Sequence, residues 1–127
     1  MKKIIITCSQ NFNDYLFAKK HIDSVLSSFN RSDLEIVSGH AKKGDSIAEQ
    51  YAYDNRLSCT VFPRISNEDG NKADYIRNNQ MIEYSSNDGY VIGFWDGSDD
   101  ITKDMLLKAK KYGLKLKICQ IKNENRF

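Results

Sequence analysis

Three observations predict a three-layer α/β fold on a mainly parallel five-stranded sheet. Apolar runs of strand length recur five times, helical repeats fill every gap between them, and four of the runs lack polar alternation. Strict alternation of strand and helix requires long crossovers, and right-handed crossovers lay neighbouring strands parallel with helices on both faces. Strands buried on both sides read as continuous hydrophobic runs, as the first four do here.

The runs are Ile4 to Thr7, Leu34 to Val37, Cys59 to Phe62, Tyr90 to Phe94, and Leu114 to Cys119. Between the first two, Tyr15, Ala18, Ile22, Val25, Leu26 and Phe29 step at three and four residues, the spacing of one helix face. Ile47, Ala48, Tyr51 and Ala52 repeat the pattern in the second gap, Ala73, Ile76, Met81 and Tyr84 in the third, and Met105, Leu106, Ala109 and Tyr112 in the fourth. In the fifth run Leu114, Leu116 and Ile118 alternate with Lys115 and Lys117, which places that strand at an edge with one wetter face. Gly113 is expected to close the fourth helix, with Lys108, Lys110 and Lys111 at the negative end of its dipole. The lysine cluster is then a solvated helix end.

At 127 residues the chain has the length of one domain, without a linker, and can bury a core without disulfide or metal staples. With 40% hydrophobic and 28% charged residues it reads as a soluble globular protein. A net charge of +2 and a pI near 8.4 are too slight to argue for nucleic acid. Cys8, Cys59 and Cys119 lie far apart and form no CxxC or Cys/His pair, so neither a zinc site nor a disulfide framework is expected. A reducing cytoplasm is the expected compartment. The start, "MKKIII", is too short an apolar run for a signal segment or a membrane span.

The connections are unequal. Those from helix to strand are short or plain: "NRSD", "NRLS", "SSND" and Gly113. Those from strand to helix hold the polar and glycine-bearing segments: "CSQNFND", "SGHAKKGD", "PRISNEDGNK" and "WDGSDDIT". In an open parallel sheet all of the latter lie at the carboxyl edge, where ligands bind at the switch in strand order. A ligand site at that edge is the first functional expectation.

Each segment admits a functional and a plain reading. After Val37, Ser38 and Gly39 turn the chain into a helix expected to start near Asp45 or Ser46. Its amides, with Lys42 or Lys43, would suit a phosphate, yet Ser46 and Glu49 also form an S-x-x-E capping box that needs no ligand. Asp96 and Gly97 make the turn after Phe94, and Asp99, Asp100 or Thr102 caps the helix that follows. Asp96, Asp99 and Asp100 could hold a cation, but acidic residues at a helix start are commonplace caps, and no metal is expected. Trp95 either stacks on a base or closes the core. Arg77 either clamps an anion or stands in solvent. Cys8 would need a base to act as a nucleophile, and His40 is the histidine in a comparable loop. His21 falls mid-helix and is expected at the surface.

In order along the chain, "CSQNF", "SGHAKKGDSIAEQYA", Phe62 with Pro63, "RNNQM", "FWDGSDDITKDM" and "GLKLKI" resemble the YspA-like branch (the DUF2493 group) of the SLOG superfamily. These are Rossmann-like domains related to the LOG phosphoribohydrolases and to DprA. The resemblance covers nearly the whole chain and implies a nucleotide or nucleotide-derived ligand, ADP-ribose-type molecules included, at the carboxyl edge. It implies no cofactor. Ser38, Gly39, Ala41, Asp45 and Glu49 match the family's S-G-G-A-x-G-A-D-x-x-A-E, while Arg77, Asn78 and Met81 match R-N-x-x-M. Trp95, Asp96, Gly97, Thr102 and Met105 match W-D-G-x-S-x-G-T-x-x-M. The implied ligand-binding residues, with the first loop and His40 added, are Ser9, Gln10, Ser38, Gly39, His40, Asp45, Glu49, Arg77, Asn78, Trp95, Asp96, Gly97 and Thr102. The helix starts at Asp45 and Thr102 and the Arg77 side chain would hold phosphate, Trp95 would line the base or sugar, and Asp96 or Glu49 would accept hydroxyl protons.

The departures bear on chemistry. His40 and Lys43 stand where glycines are usual, Gln10 where the first loop commonly carries arginine, Ile101 in place of a glycine, and Asp99 in place of a serine. Such replacements narrow the backbone choices for a close phosphate approach. Aligning the LOG signature P-G-G-x-G-T-x-x-E on Thr102 puts its catalytic glutamate at Met105, which cannot move a proton. The expected role is therefore a sensor, carrier or sequestering protein. The enzymatic alternative is N-glycosidic cleavage with Glu49 or Asp96 as the acid. Single-stranded nucleic-acid binding, as in the DprA relatives, is opposed by the slight charge and the lack of an aromatic series. An open sheet with a hydrophobic helix face leaves room for a homo-oligomer, although no segment announces an interface.

Overall fold

The computed structural model describes residues 1–39, 43–63 and 72–122, with the backbone alone for 43–46. Its order is β1 (Lys2–Cys8), α1 (Tyr15–Leu26), a 3-10 turn (Arg31–Asp33), β2 (Leu34–Ser38), α2 (Lys43–Asp54), β3 (Ser58–Val61), α3 (Lys72–Ser85), β4 (Gly89–Trp95), α4 (Asp100–Lys111) and β5 (Lys115–Gln120). The five strands form one sheet in the order β3-β2-β1-β4-β5, and every pairing is parallel. This is a Rossmann-like three-layer α/β fold.

Side chains on successive strand residues point to opposite faces, so one apolar run feeds both layers. Ile4, Ile6 and Cys8 of β1 join Ile36, Phe94 and Cys119 against α1 and α2. Ile5, Val37 and Val91 face the other way, against Met81 and Ile82 of α3 and Met105, Leu106 and Ala109 of α4. Ile4, Ile5 and Ile6 are wholly buried, and each such side chain contributes about 1.5–3 kcal/mol by leaving water.

Four expectations are corrected. β3 is an edge strand with Ser58, Cys59 and Val61 exposed, because the sheet order leaves it one neighbour. α2 begins at Lys43, earlier than expected, so Ser46 lies inside the helix and cannot be the N-cap of a box with Glu49. α3 buries Asp74, Arg77, Asn78, Met81 and Ile82, while Ile76 and Tyr84 are exposed. Polar residues occupy much of its inner face, which blurs the apolar period. His21 is half-buried, with its ring 4.6 Å from that of Phe17.

Helix ends follow local chemistry. Gly113, at φ +78°, closes α4 with bonds from its own amide to the Lys110 carbonyl and from Leu114 to Ala109, a Schellman arrangement. α2 closes the same way, from Arg56 to Tyr53 and from Leu57 to Ala52, with Arg56 itself at φ +55°. The two helices on the first layer are tied by the buried Tyr51, whose hydroxyl donates to Asp23 at 2.6 Å. Among the described residues no helix is long and apolar enough to cross a membrane.

Candidate functional site at the carboxyl edge

The chain leaves β1 toward β2 and β3, then crosses back to β4 and β5, so the strand order switches between β1 and β4. At that switch the loops after β1 and β4 diverge and open a crevice. Ser9 holds the two together. Its amide donates to the Phe94 carbonyl at 2.8 Å, and its Oγ accepts from the Asp96 amide at 3.0 Å. Asp96 shapes the next turn, its Oδ1 accepting from the amides of Ser98 (2.8 Å) and Asp99 (2.9 Å) and from the Ser98 hydroxyl. Gly97 follows at φ +89°. Burial pushes the Asp96 carboxyl up, but the Ser98 and Asp99 amides with the Ser98 and Ser9 hydroxyls outweigh it and hold the group below the usual carboxylate range.

Of the three candidate caps for α4, Asp99 takes the position. Its Oδ1 accepts from the amides of Ile101 and Thr102, both at 3.0 Å, and its Oδ2 accepts from the Gln10 amide at 2.7 Å. The Thr102 amide expected to face a phosphate thus faces the chain's own carboxylate. Trp95 packs at the margin of the second core, and its indole donates to the Asp99 carbonyl at 3.1 Å. Its body closes the core.

Arg77 is only 3% exposed, despite its charge. Its Nη1 lies 3.2 Å from Asp74 Oδ1, within ion-pair range but without the alignment of a hydrogen bond, and both Nη1 and Nε lack a hydrogen-bond partner. The stem runs beside Gly39, where an added Cβ would stand 2.9 Å from Nε. Asn78, also buried, turns to α4 instead, its Nδ2 donating to the Ile101 carbonyl and to Asp104 Oδ2, both at 3.1 Å.

On the α1 side of the crevice lies a cavity of about 430 Å³ lined by Ser9, Phe12, Asp14, Phe17, Asp96 and Gln120, among others. Phe12 stacks on Phe94 with ring centroids 5.3 Å apart and planes 10° from parallel, and Phe17 meets both rings edge-on. Asp14 caps α1, accepting from the Phe17 amide at 3.1 Å.

The structure therefore brings Ser9, Gln10, Asp96, Gly97 and Thr102 together around the β4 turn, and Gly39 together with Arg77 beside the end of β2. Ser38 is buried at the end of β2, and Glu49 is half-buried on α2 with Cys59 within its electrostatic reach. His40, Ala41 and the Asp45 side chain lie outside the described residues, and with His40 goes the Cys8/His40 pair; Cys8 itself faces the core. Met105 is fully buried in the second core. Among the described residues no group of three or more His, Cys, Asp or Glu is placed to hold a metal ion. Asp74, Phe12 and Phe17 went unread in the sequence. A D-x-x-R spacing in "ADYIR" is the signal for the first; the other two are joined to Phe94 only by the fold.

No family model, curated protein or solved structure matches this chain.

Proposed function

We propose that this chain binds a nucleotide or nucleotide-derived ligand at the carboxyl edge of its sheet, as a sensor, carrier or sequestering protein of the YspA-like SLOG type. The buried Arg77 guanidinium carries this reading. Its Nε and Nη1 have no hydrogen-bond partner, and leaving buried charged donors without one is costly. Phosphate oxygens accept from guanidinium N–H groups in short charge-assisted bonds and so lower that cost. Asp74 balances the charge without filling both donors. The Rossmann-like strand order supports the same edge.

Two features favour binding without turnover. Position 105 is a core methionine, and the Asp96 carboxyl is held low, the wrong direction for proton donation at neutral pH. Incubation with nucleoside monophosphates or NAD is expected to release no base by chromatography.

A thermal-shift screen against nucleotides and dinucleotides tests the binding reading. A ligand at 100 times its dissociation constant raises stability by about 2.7 kcal/mol. Arg77→Ala should weaken the hit by about 1–3 kcal/mol in calorimetry. Unchanged affinity would take Arg77 out of the site.

A further inference from the structure

We infer that the cavity beside Phe12 is a subsite for the uncharged, planar end of the ligand, a nucleobase with its sugar, seated as the third ring of a stack begun by Phe94 and Phe12. The inference rests on the nucleotide reading above only for the name of that ring. Its evidence is separate from Arg77.

One face of Phe12 lies on Phe94, and the ring still lines the cavity, so its remaining surface is what an incoming ring meets. Phe17, edge-on to Phe12 with centroids 6.1 Å apart, fixes the plane. A base on such a platform gains stacking whatever its identity. The volume of about 430 Å³ falls within the range of small-molecule sites, roughly 300–1,000 Å³.

Charge decides which end of a nucleotide enters. Asp14, Asp96 and Lys122 line the cavity, so carboxylates outnumber the cation, a balance that opposes phosphate and suits hydroxyls and exocyclic amines. Asp14 Oδ1 serves the α1 cap and Asp96 Oδ1 the β4 turn, and ionised carboxylates accept from the hydroxyls and amines of a sugar or base. The N-terminus of α1 is closed to an anion by its own Asp14. The end of β2, beside Arg77, and the end of β4 lie two strand positions apart, with Arg77 on the α3 layer and the cavity on the α1 layer. The anionic and the planar ends of a nucleotide therefore have separate places along this edge.

Adenosine, guanosine, cytidine and uridine on one arm, and inorganic pyrophosphate on the other, test this with the whole chain. Fluorescence of the single tryptophan, Trp95, and saturation-transfer NMR give the readouts. At least one nucleoside should saturate, and Phe12→Leu, which keeps apolar bulk without a ring face, should weaken it about tenfold. Phe12→Tyr should retain it, and pyrophosphate should titrate all three proteins alike. No saturation by any nucleoside, or equal affinity in Phe12→Leu, overturns the subsite. Loss of pyrophosphate binding alone would instead overturn the Arg77 reading and leave the cavity standing.

Discussion

Arg77 lies so close to Gly39 that a methyl group at position 39 would stand 2.9 Å from its Nε. Glycine at 39 is what allows the guanidinium to lie against the backbone at the end of β2. Gly39→Ala should therefore displace it, weaken pyrophosphate binding by about tenfold or more, and destabilise the fold by about 1–3 kcal/mol. Calorimetry and urea unfolding read the two effects. Wild-type values in both would disconnect these residues.

Asp99 occupies the place that an anion would take at the start of α4, and it also holds the Gln10 amide. Serine is an equally good cap without the charge. Asp99→Ser should lose up to about 1 kcal/mol from the severed Gln10 contact and open this helix end to phosphate. Inorganic phosphate should then raise the Tm of the variant more than that of the wild type. An equal response in both would show that the carboxylate does not guard the helix end.

Glu35 and His21 are two of the groups that tie stability to pH in the same direction, as Asp96 also does. Burial pushes the Glu35 carboxyl up, but the Thr60 and Tyr84 hydroxyls, with Lys3 and the N-terminus nearby, outweigh it and hold the group below the usual range. A depressed folded pKa contributes stability above the unfolded value, about 4.3, and loses it as pH falls through the folded one. His21 is lowered by burial first, then by Lys117 and Lys20. It too takes up a proton less readily when folded, so its contribution is complete above about 6.5 and declines on acidification. Urea midpoints from pH 3 to 8 should fall in two stages. His21→Gln should flatten the upper stage and Glu35→Gln should shrink the lower, which Asp96 and Asp23 share; an unaltered profile in either variant would dismiss that group.

Arg56 sits in the left-handed region at the end of α2, where a side chain crowds the following carbonyl. Arg56→Gly should stabilise by about 0.5–1 kcal/mol in chemical denaturation. Asn87, at φ +82°, belongs to a type that tolerates this region, so Asn87→Gly should gain less. A larger gain at 87 than at 56 would contradict the argument.

The sheet was legible in the sequence because strand and helix periods are carried by the apolar residues themselves. Each strand was placed within a residue or two of its observed limits, and the lysine alternation of β5 marked an edge. β3 was misread because Cys59 and Val61 are residue types that look buried wherever they stand. The phase of α3 was misread because Asp74, Arg77 and Asn78 turn inward, toward each other, β2 and α4. Ser46 and Glu49 show the weakness of a short motif, since an S-x-x-E spacing also arises inside a helix. The cavity had no sequence signal at all. Phe12, Phe94 and Gln120 become neighbours only through the strand order.

The loop bearing Phe12 is held at the edge by two routes. Asn78 grips the start of α4 through Ile101 and Asp104, and Asp99 at the head of that helix holds the Gln10 amide. Ser9 ties the same loop directly to β4 through the Phe94 carbonyl and the Asp96 amide, and its own carbonyl accepts from the Phe12 amide at 3.0 Å. One anchor leads to the sheet and the other to the helices behind it, so slackening either alone leaves Phe12 moored by its fellow.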